Sequence, residues 1–183
     1  MRESRRTMDE FLKSVERRAF RMAQIATRST EDALDIVQDT MFILVRRYTE
    51  KSAEEWRPLF FRILQNKIRD WHRRQTLRNR WFIPLPHLWK GRGEDSENTV
   101  ETLADPKGSN PGDQVVLNDS LTALESELRA LPLRQQQAFL LRAWEGLSVR
   151  ETAGAMNCSE GTVKTHYARA IQTLRSKLED HGP

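Results

Sequence analysis

The chain has 183 residues and a mass of 21.4 kDa, enough for one ordinary domain or two small ones. Hydrophobic residues make up 38% of it and charged residues 31%, which favours small helical units over one large enzyme core. A single cysteine, Cys158, excludes an internal disulfide framework and a multi-cysteine zinc site. The apolar runs are short, and none follows the basic N-terminus. We therefore expect no transmembrane helix, no secretory signal and a cytoplasmic location.

Positive charge is concentrated in the first part of the chain. Residues 1–80 carry a net charge of +7, residues 81–118 carry −3, and residues 119–183 are neutral. The stretch from Arg62 to Arg80, with both ends included, contains seven basic residues and one acid. Such a run is often only a solvated helix face. Here tryptophan, asparagine and glutamine are interspersed with the arginines, and this mixture favours a nucleic-acid partner.

The first segment, about residues 8–80, has the apolar spacing of helices. One stripe runs from Met8 to Ala26 and a second from Ala33 to Tyr48, with Thr30 predicted as the N-cap of the second helix. Residues 49–55 lack an apolar face and are predicted to form a loop. Pro58 is expected in the first turn of a third helix, where its missing N–H costs little. The apolar side of that helix comprises Phe60, Ile63, Leu64, Ile68 and Trp71.

Residues 81–118 interrupt the helical pattern. They include four prolines, four glycines and six acids, a composition that favours a flexible linker. Several large apolar residues are unusual for such a linker. They either dock on a neighbouring domain or a partner, or they extend the first core. These residues are Trp81, Phe82, Leu85, Leu88 and Trp89.

Residues 119–178 are again predicted to be helical. A leucine stripe ends at Pro132, a second helix spans about 134–144 and stops at Gly146, and two short helices flank residues 157–159. The sequence shows no internal repeat and no strand-like alternation of useful length. The predicted fold is all-α, with two small helical domains joined by a flexible linker and a helix-turn-helix in the second domain.

The helix-turn-helix is predicted from the pattern of residues 147–174. Ser148 and Glu151 have the spacing of a capping box, and Asn157 suits a tight left-handed turn. Ser159 can cap the second helix of the motif, and Cys158 beside it is interpreted as a packing residue rather than a redox switch. Any αα-hairpin can show part of this pattern. The agreement of caps, turn and outward basic residues favours DNA binding in the major groove.

Helical geometry assigns two faces to the second helix of the motif. The inward face comprises Val163, Tyr167, Ala170 and Leu174. The outward face comprises Lys164, Thr165, Ala168, Arg169 and Gln172, with His166 on the flank. Lys164 and Arg169 can reach phosphates or guanine edges, and Thr165 can bond a base or a phosphate or contact a thymine methyl.

A second candidate surface lies on the third helix. Asn66 and Asp70 share one face, and Trp71, Arg73 and Arg74 follow on the next turn. Asparagine and arginine can hydrogen-bond to base edges, and tryptophan can stack on an exposed base. Asp70 can also pair with Arg73 or Arg74 within the helix, and this pairing is compatible with a DNA contact.

The sequence offers no pattern typical of catalysis. The four histidines and Cys158 lack metal-ligand spacing, and there is no glycine-rich phosphate loop. We therefore predict a protein that is not an enzyme and uses neither a cofactor nor a metal.

Three stretches together resemble the extracytoplasmic-function (ECF) group of bacterial RNA polymerase sigma factors. They are DALDIVQD (32–39), FFRILQNKIRDWHRR (60–74) and LPLRQQQAFLLRAWEGLSVRETAGAMNCSEGTVKTHYARA (131–170). The resemblance covers roughly residues 8–178 apart from the linker. It implies a domain over 1–80 that binds core polymerase and the −10 element, a linker over 81–118, and a domain over 119–183 that binds the −35 element.

The resemblance also implies roles for individual residues. Asp35, Gln38 and Asp39 match the motif that binds the clamp helices of the largest polymerase subunit. The residues implied to contact the −10 element are Trp56, Asn66, Asp70, Trp71, Arg73 and Arg74. The loop over 49–56 matches the one that receives a flipped base of the melted non-template strand. The residues implied to contact the −35 element are Thr162, Lys164, Thr165, Ala168 and Arg169.

Further partners follow from the same resemblance. Residues 131–144 match the part that meets the polymerase flap, and the acidic linker is expected to thread toward the active-site channel. An anti-sigma factor is expected to hold the free protein, which itself does not insert into a membrane. Leu34 stands where the family usually has an acid, and His166 stands where many members have arginine.

The sequence thus predicts a promoter-specificity subunit that binds core polymerase, holds the −35 duplex and captures the melted −10 strand. The alternative is a helix-turn-helix regulator that binds duplex operator DNA without core polymerase. Stable specific binding to duplex DNA alone distinguishes the regulator from the sigma factor.

Overall fold

A computed structural model describes residues 2–81 and 115–179 of the chain. These two ranges contain seven α-helices and one π-helical turn, and no strand. The elements are α1 (Arg2–Thr27), α2 (Thr30–Tyr48), α3 (Ala53–Trp81), α4 (Val115–Ala130), α5 (Leu133–Phe139), the π-helical turn (Leu140–Trp144), α6 (Val149–Met156) and α7 (Glu160–Glu179). The predicted all-α fold is confirmed. The linker predictions for residues 82–114, including Phe82, Leu85, Leu88 and Trp89, lie outside the described residues.

Helices α1–α3 form the first lobe, in which each helix packs against the other two. The side chains of Met22, Leu44, Phe60, Leu64 and Ile68 are almost completely buried in its core. Complete burial of side chains of this size stabilises a fold by about 1.5–3 kcal/mol each relative to exposure. The predicted apolar stripes therefore account for most of this lobe.

The N-cap predicted for α2 is wrong by one residue. Ser29 is the N-cap, and its hydroxyl accepts a hydrogen bond from the backbone N–H of Asp32 at 3.2 Å. Ser29 has an extended backbone, whereas Thr30 is already the first helical residue. Both residue types can cap a helix, so the sequence alone does not distinguish them.

Helix α3 begins earlier than predicted, because the loop before it covers only residues 49–52. The backbone N–H of Ser52 donates to the carboxylate of Glu55 at 3.2 Å, which fixes the start of the helix. This hydrogen bond, together with Lys51, lowers the pKa of Glu55. Pro58 consequently lies in the second turn and not in the first, and the carbonyl of Glu54 loses its usual helical donor.

Helix α3 is buried on two sides, whereas the sequence predicted one. Phe61 and Gln65 lie off the predicted apolar side, yet their exposed fractions are only 0% and 1%. Helix α3 contacts α6 as well as α1 and α2. Helix α3 therefore lies at the centre of the molecule.

Helices α4–α7 form the second lobe and contain the predicted helix-turn-helix. Both hydrogen bonds of the Ser148–Glu151 capping box are present at the start of α6. Asn157 ends α6 in the left-handed conformation (φ 54°), and the hydroxyl of Ser159 accepts from the backbone N–H of Thr162 at 3.1 Å. The prediction of two short helices is wrong for the second, because α7 extends over 20 residues.

The segment between α5 and α6 changes its helical type before the turn. The backbone N–H of Glu145 donates to the carbonyl of Leu140 at 3.0 Å, five residues back, as in a π-helix. Gly146 follows with a φ of 66°, a conformation that glycine adopts without strain. This geometry ends the helix where the sequence predicted and turns the side chain of Glu145 inward, where it is buried.

His72 gives the fold a pH dependence. Burial on α3 lowers the pKa of His72, with a smaller contribution from Arg28, although a hydrogen bond to the backbone of Ala26 opposes it. The unfolded chain therefore binds a proton at His72 at higher pH than the folded chain, and the free energy of unfolding decreases as pH falls below about 6.5. Urea unfolding between about pH 5 and 8 should show a shallower pH dependence for His72→Gln. Equal slopes for the variant and the wild type exclude this role.

Candidate functional site

The outward face of α7 is the first candidate surface. Lys164, Thr165, Ala168 and Arg169 are exposed, together with Gln172, while Val163 and Ala170 on the opposite side are completely buried. The hydroxyl of Thr165 donates to the carbonyl of Gly161 at 3.1 Å and keeps its lone pairs for a further partner. This arrangement presents a donor-rich surface on a rigid helix, as entry into a major groove requires.

Thr162 differs from the other predicted −35 residues. It is half-buried, and its hydroxyl lies 2.8 Å from the hydroxyl of Ser159 in the helix cap. Its backbone N–H is also bound by Ser159. In this structure Thr162 therefore supports the start of α7, next to the exposed face.

The second candidate surface is a mixed acidic and apolar face of α2. Asp35, Gln38 and Asp39 are exposed, and the Lys67 ammonium on α3 lies 2.7 Å from the carboxylate of Asp39. Leu34, Phe42 and Val45 add exposed apolar area, with exposed fractions of 46%, 63% and 43%. We call this set of residues on α2 the acidic–apolar face. Apolar area of this kind beside charged groups is typical of a protein-binding surface.

The apolar half of this face is not predicted from the sequence. Val45 belongs to the predicted apolar stripe between Ala33 and Tyr48, yet its side chain is exposed. Leu34, Gln38, Phe42 and Val45 are three or four residues apart, which places them on one side of α2. This spacing is visible in the sequence. It lies directly beside the spacing of the core residues of α2, so the two cannot be told apart from the apolar pattern alone.

The third candidate surface is the second half of α3. Arg73 and Arg74 are exposed, and Asp70 beside them pairs with Arg73 at 3.3 Å. The Nε–H of Arg74 donates to the backbone carbonyl of Asp70 at 3.3 Å. The predicted pairing of Asp70 with Arg73 is thus present, and the guanidinium groups still face solvent.

The other predicted −10 residues on α3 are less accessible. Trp71 is half-buried and packs edge-on against the ring of His72, with ring centroids 4.9 Å apart. The side-chain carbonyl of Asn66 accepts a hydrogen bond from Arg69. Both side chains therefore need to change their present contacts before they can meet a base.

Trp56, which is predicted to contact the −10 element, is buried in this structure. Its side chain is 3% exposed, and its ring packs against Phe11 with the centroids 6.0 Å apart. Its indole N–H donates to the backbone carbonyl of Tyr48 at 3.0 Å. Trp56 thus ties the end of α2 to the start of α3. The resemblance includes Trp56 in a loop over 49–56, whereas in this structure α3 already begins at Ala53.

Cys158 is half-buried in the turn between α6 and α7. Burial raises the pKa of its thiol, although Arg134 and Arg69 lie close enough to oppose this effect. A thiol with a raised pKa stays protonated and unreactive at neutral pH. This agrees with its interpretation as a packing residue.

Two other kinds of feature are absent from the part of the chain that the structure describes. No group of three or more histidine, cysteine, aspartate or glutamate side chains in that part can hold a metal ion. No helix within 2–81 or 115–179 has the length and apolar character needed to span a membrane.

Comparison with protein families matches both lobes. The model of Sigma-70 region 2 matches residues 8–78, and the model of Sigma-70, region 4 matches residues 121–174. The first match contains the acidic–apolar face and the arginines of α3. The second contains the helix-turn-helix and the outward face of α7.

Individual relatives agree with these matches. The ECF RNA polymerase sigma factor SigD of Mycobacterium tuberculosis is 32% identical over 95 residues, which is 51% of this chain and 45% of SigD, so the match spans less than half of that relative. The RNA polymerase sigma factor SigV of Bacillus subtilis is 29% identical over 160 residues, 87% of this chain and 83% of SigV. The RNA polymerase sigma-E factor of Streptomyces antibioticus is 29% identical over 149 residues, 81% of this chain and 71% of that protein.

A solved structure shows the same fold. The sigma factor RpoE in complex with the anti-sigma factor NepR from Bartonella quintana is similar with a TM-score of 0.62 and 19% identity, covering 93% of this chain and 97% of that one. The two family models match both lobes in their order along the chain, and the solved structure shares the fold. The chain therefore belongs to the extracytoplasmic-function group of RNA polymerase sigma factors.

Proposed function

We propose that the chain is a promoter-specificity subunit that binds core RNA polymerase and directs transcription initiation. The observation that carries this proposal is the presence of three separate exposed surfaces in one chain. They are the outward face of α7, the arginines of α3 and the acidic–apolar face of α2. A regulator that only binds duplex DNA needs the first of these surfaces and has no use for the third.

Each of the two DNA-directed surfaces contacts a different promoter element. The outward face of α7 contacts the −35 duplex in the major groove, with Lys164 and Arg169 reaching phosphates or guanine edges. Arg73 and Arg74 hold the melted non-template strand at the −10 element. Capture of unstacked bases offsets the cost of strand separation, which is a few kcal/mol per base.

The acidic–apolar face of α2 is the proposed contact for core polymerase. Asp35 and Gln38 supply polar contacts to the clamp helices, while Phe42 supplies apolar area that association removes from water. The second lobe meets the flap through residues 131–144. The protein carries out no catalysis itself and works in the cytoplasm with the polymerase.

An anti-sigma factor is the proposed regulator of the free chain. The similar solved structure is a sigma factor bound by such a protein. Occlusion of the acidic–apolar face is the simplest way for this partner to act, because that face is exposed in the free chain.

Two binding measurements separate the sigma factor from the duplex-binding regulator. Purified chain is mixed with bacterial core polymerase, and complex formation is followed by size-exclusion chromatography. Binding to genomic duplex fragments is measured with the chain alone. A sigma factor forms a stoichiometric complex with the core and binds duplex DNA weakly by itself. Tight specific duplex binding without core binding favours the regulator.

Substitutions on α7 should separate base recognition from phosphate binding. In the complex with core polymerase, Thr165→Ala should change the preference at one −35 position by about 1–3 kcal/mol, because Thr165 faces a base edge. Lys164→Ala should weaken all −35 sequences alike and reduce the salt dependence of binding by about one counterion. Competition binding over a −35 sequence library measures both effects. Identical preference profiles for the two variants contradict the placement of α7 in the groove.

A further inference from the structure

One buried carboxylate of the second lobe is held by two arginines of the first. The Glu145 side chain is 0% exposed, and its Oε1 and Oε2 lie 3.4 Å from Arg18 Nε and from Arg57 Nη2, respectively. Arg57 also donates to the backbone carbonyl of Glu145. Both arginines keep about two fifths of their side chains exposed, so they remain solvated when this contact opens. We call this contact the Glu145 latch.

Other arginines of the first lobe bind helix ends of the second. Arg69 on α3 donates to the carbonyl of Met156, the last residue of α6, at 2.9 Å. Arg28 donates to the carbonyl of Arg129, near the end of α4, at 2.8 Å. The last carbonyls of a helix lack intrahelical partners and carry partial negative charge, so cations bind them favourably. These contacts place positive charge of the first lobe on acceptors of the second.

The arginine contacts surround a packed surface. Helix α6 lies against α3, and Arg21 on α1 pairs with Glu125 on α4 at 2.8 Å. Burial at this surface lowers the pKa of the Arg69 guanidinium. The described residues therefore show a docked arrangement of the two lobes, with contacts on α1, α3, α4 and α6.

The docked arrangement is too short to hold both promoter elements at once. Elements centred near −35 and −10 are about 25 base pairs apart, or roughly 85 Å along a duplex. Arg73 lies about one helical turn from Arg69, and Arg69 binds the carbonyl of Met156 just before α7 begins. Since α7 is about 30 Å long, the two DNA-directed surfaces stay within roughly 50 Å of each other in the docked arrangement. The 33 residues between α3 and α4 can span about 110 Å when extended. The linker length therefore permits the separation that docking prevents.

We infer that the Glu145 latch holds the free chain in a docked state and that this contact must open before the chain engages a promoter. The inference rests on the proposed function, since it assigns regulation to the same DNA-directed surfaces. Because only the open fraction of molecules is competent to hold both promoter elements, the apparent affinity for the promoter falls in proportion to that fraction. Loosening the latch should therefore strengthen promoter engagement.

Small-angle X-ray scattering of the full chain tests the docked state without polymerase or DNA. Glu145→Lys places a cation against Arg18 and Arg57 and is expected to increase the radius of gyration by several ångströms. Arg57→Glu should have the same effect from the other lobe. The charge swap that combines both substitutions should bring the radius of gyration partly back, which a misfolded variant cannot do. Glu160→Gln, an exposed position of the second lobe, is the control and should leave the scattering curve unchanged.

Each outcome decides the inference. If both single variants keep their helical circular dichroism and scatter like the wild type, the latch does not hold the lobes together. Expansion in the single variants that the swap does not reduce excludes a direct Glu145–Arg57 contact.

In transcription with core polymerase, Glu145→Lys should reach half-maximal initiation at a several-fold lower concentration than the wild type. Expansion without this gain shows that docking does not restrain the protein. A chain that never supports initiation overturns the proposed function, while the scattering result stands independently.

Discussion

Replacement of Arg73 and Arg74 by alanine should reduce open-complex formation at least about tenfold while leaving the affinity for core polymerase unchanged. Both guanidinium groups face solvent on the second half of α3, and neither pairs with a residue of the acidic–apolar face of α2 in the described contacts. One hydrogen bond to a charged group is worth about 1.5–3 kcal/mol, and about 1.4 kcal/mol corresponds to a tenfold change. The loss should therefore appear at the melting step, where these arginines hold the single strand.

Potassium permanganate footprinting of the −10 region measures open complexes, and fluorescence anisotropy measures core binding. The matched control is Lys13→Ala with Arg17→Ala, which removes the same charge from exposed positions four residues apart on α1. The control should melt the promoter like the wild type. Equal loss of melting and of core binding in the Arg73/Arg74 variant contradicts the assignment of these residues to the −10 strand.

Asp35→Lys should weaken core binding by about ten- to a hundredfold and reduce transcription accordingly. Asp35 is exposed on the acidic–apolar face, and a like charge placed at a complementary interface costs up to several kcal/mol. The folded state should not change, since the Asp35 side chain is exposed.

The control for this prediction is Glu16→Lys, which makes the same charge change at an exposed position of α1. Anisotropy titrations with core polymerase compare the two variants. If Glu16→Lys weakens core binding as much as Asp35→Lys does, then the effect comes from net charge, and α2 is not the polymerase contact.

The structural features that the sequence predicts correctly depend on interactions between residues close together in the chain. The capping box at Ser148, the left-handed turn at Asn157 and the inward face of α7 follow from short-range geometry, and the structure confirms them. The exposed and buried sides of α7 follow from the helical repeat in the same way. Each of these features depends on residues a few positions apart, so one sequence is sufficient to predict it.

What the sequence could not provide depends on contacts between distant residues. The burial of Trp56 depends on Phe11, which is distant in the sequence, and on the carbonyl of Tyr48, which binds the indole N–H across the turn. Glu145 and Arg57 are far apart in the chain, and nothing in the sequence around either one indicates the other. Phe61 likewise lies off the predicted apolar side of α3, yet it is buried. Helix α3 also packs against α6, which is distant in the sequence.

Transcription in vitro from a genomic fragment library tests the central claim most directly. Purified core polymerase is used with and without the full chain, and the start sites are mapped by sequencing the transcripts. The sigma-factor account predicts discrete new start sites, each preceded by the same pair of short elements near −35 and −10. Transcription that stays at the level of core polymerase alone, with a chain that binds the core in solution, contradicts it.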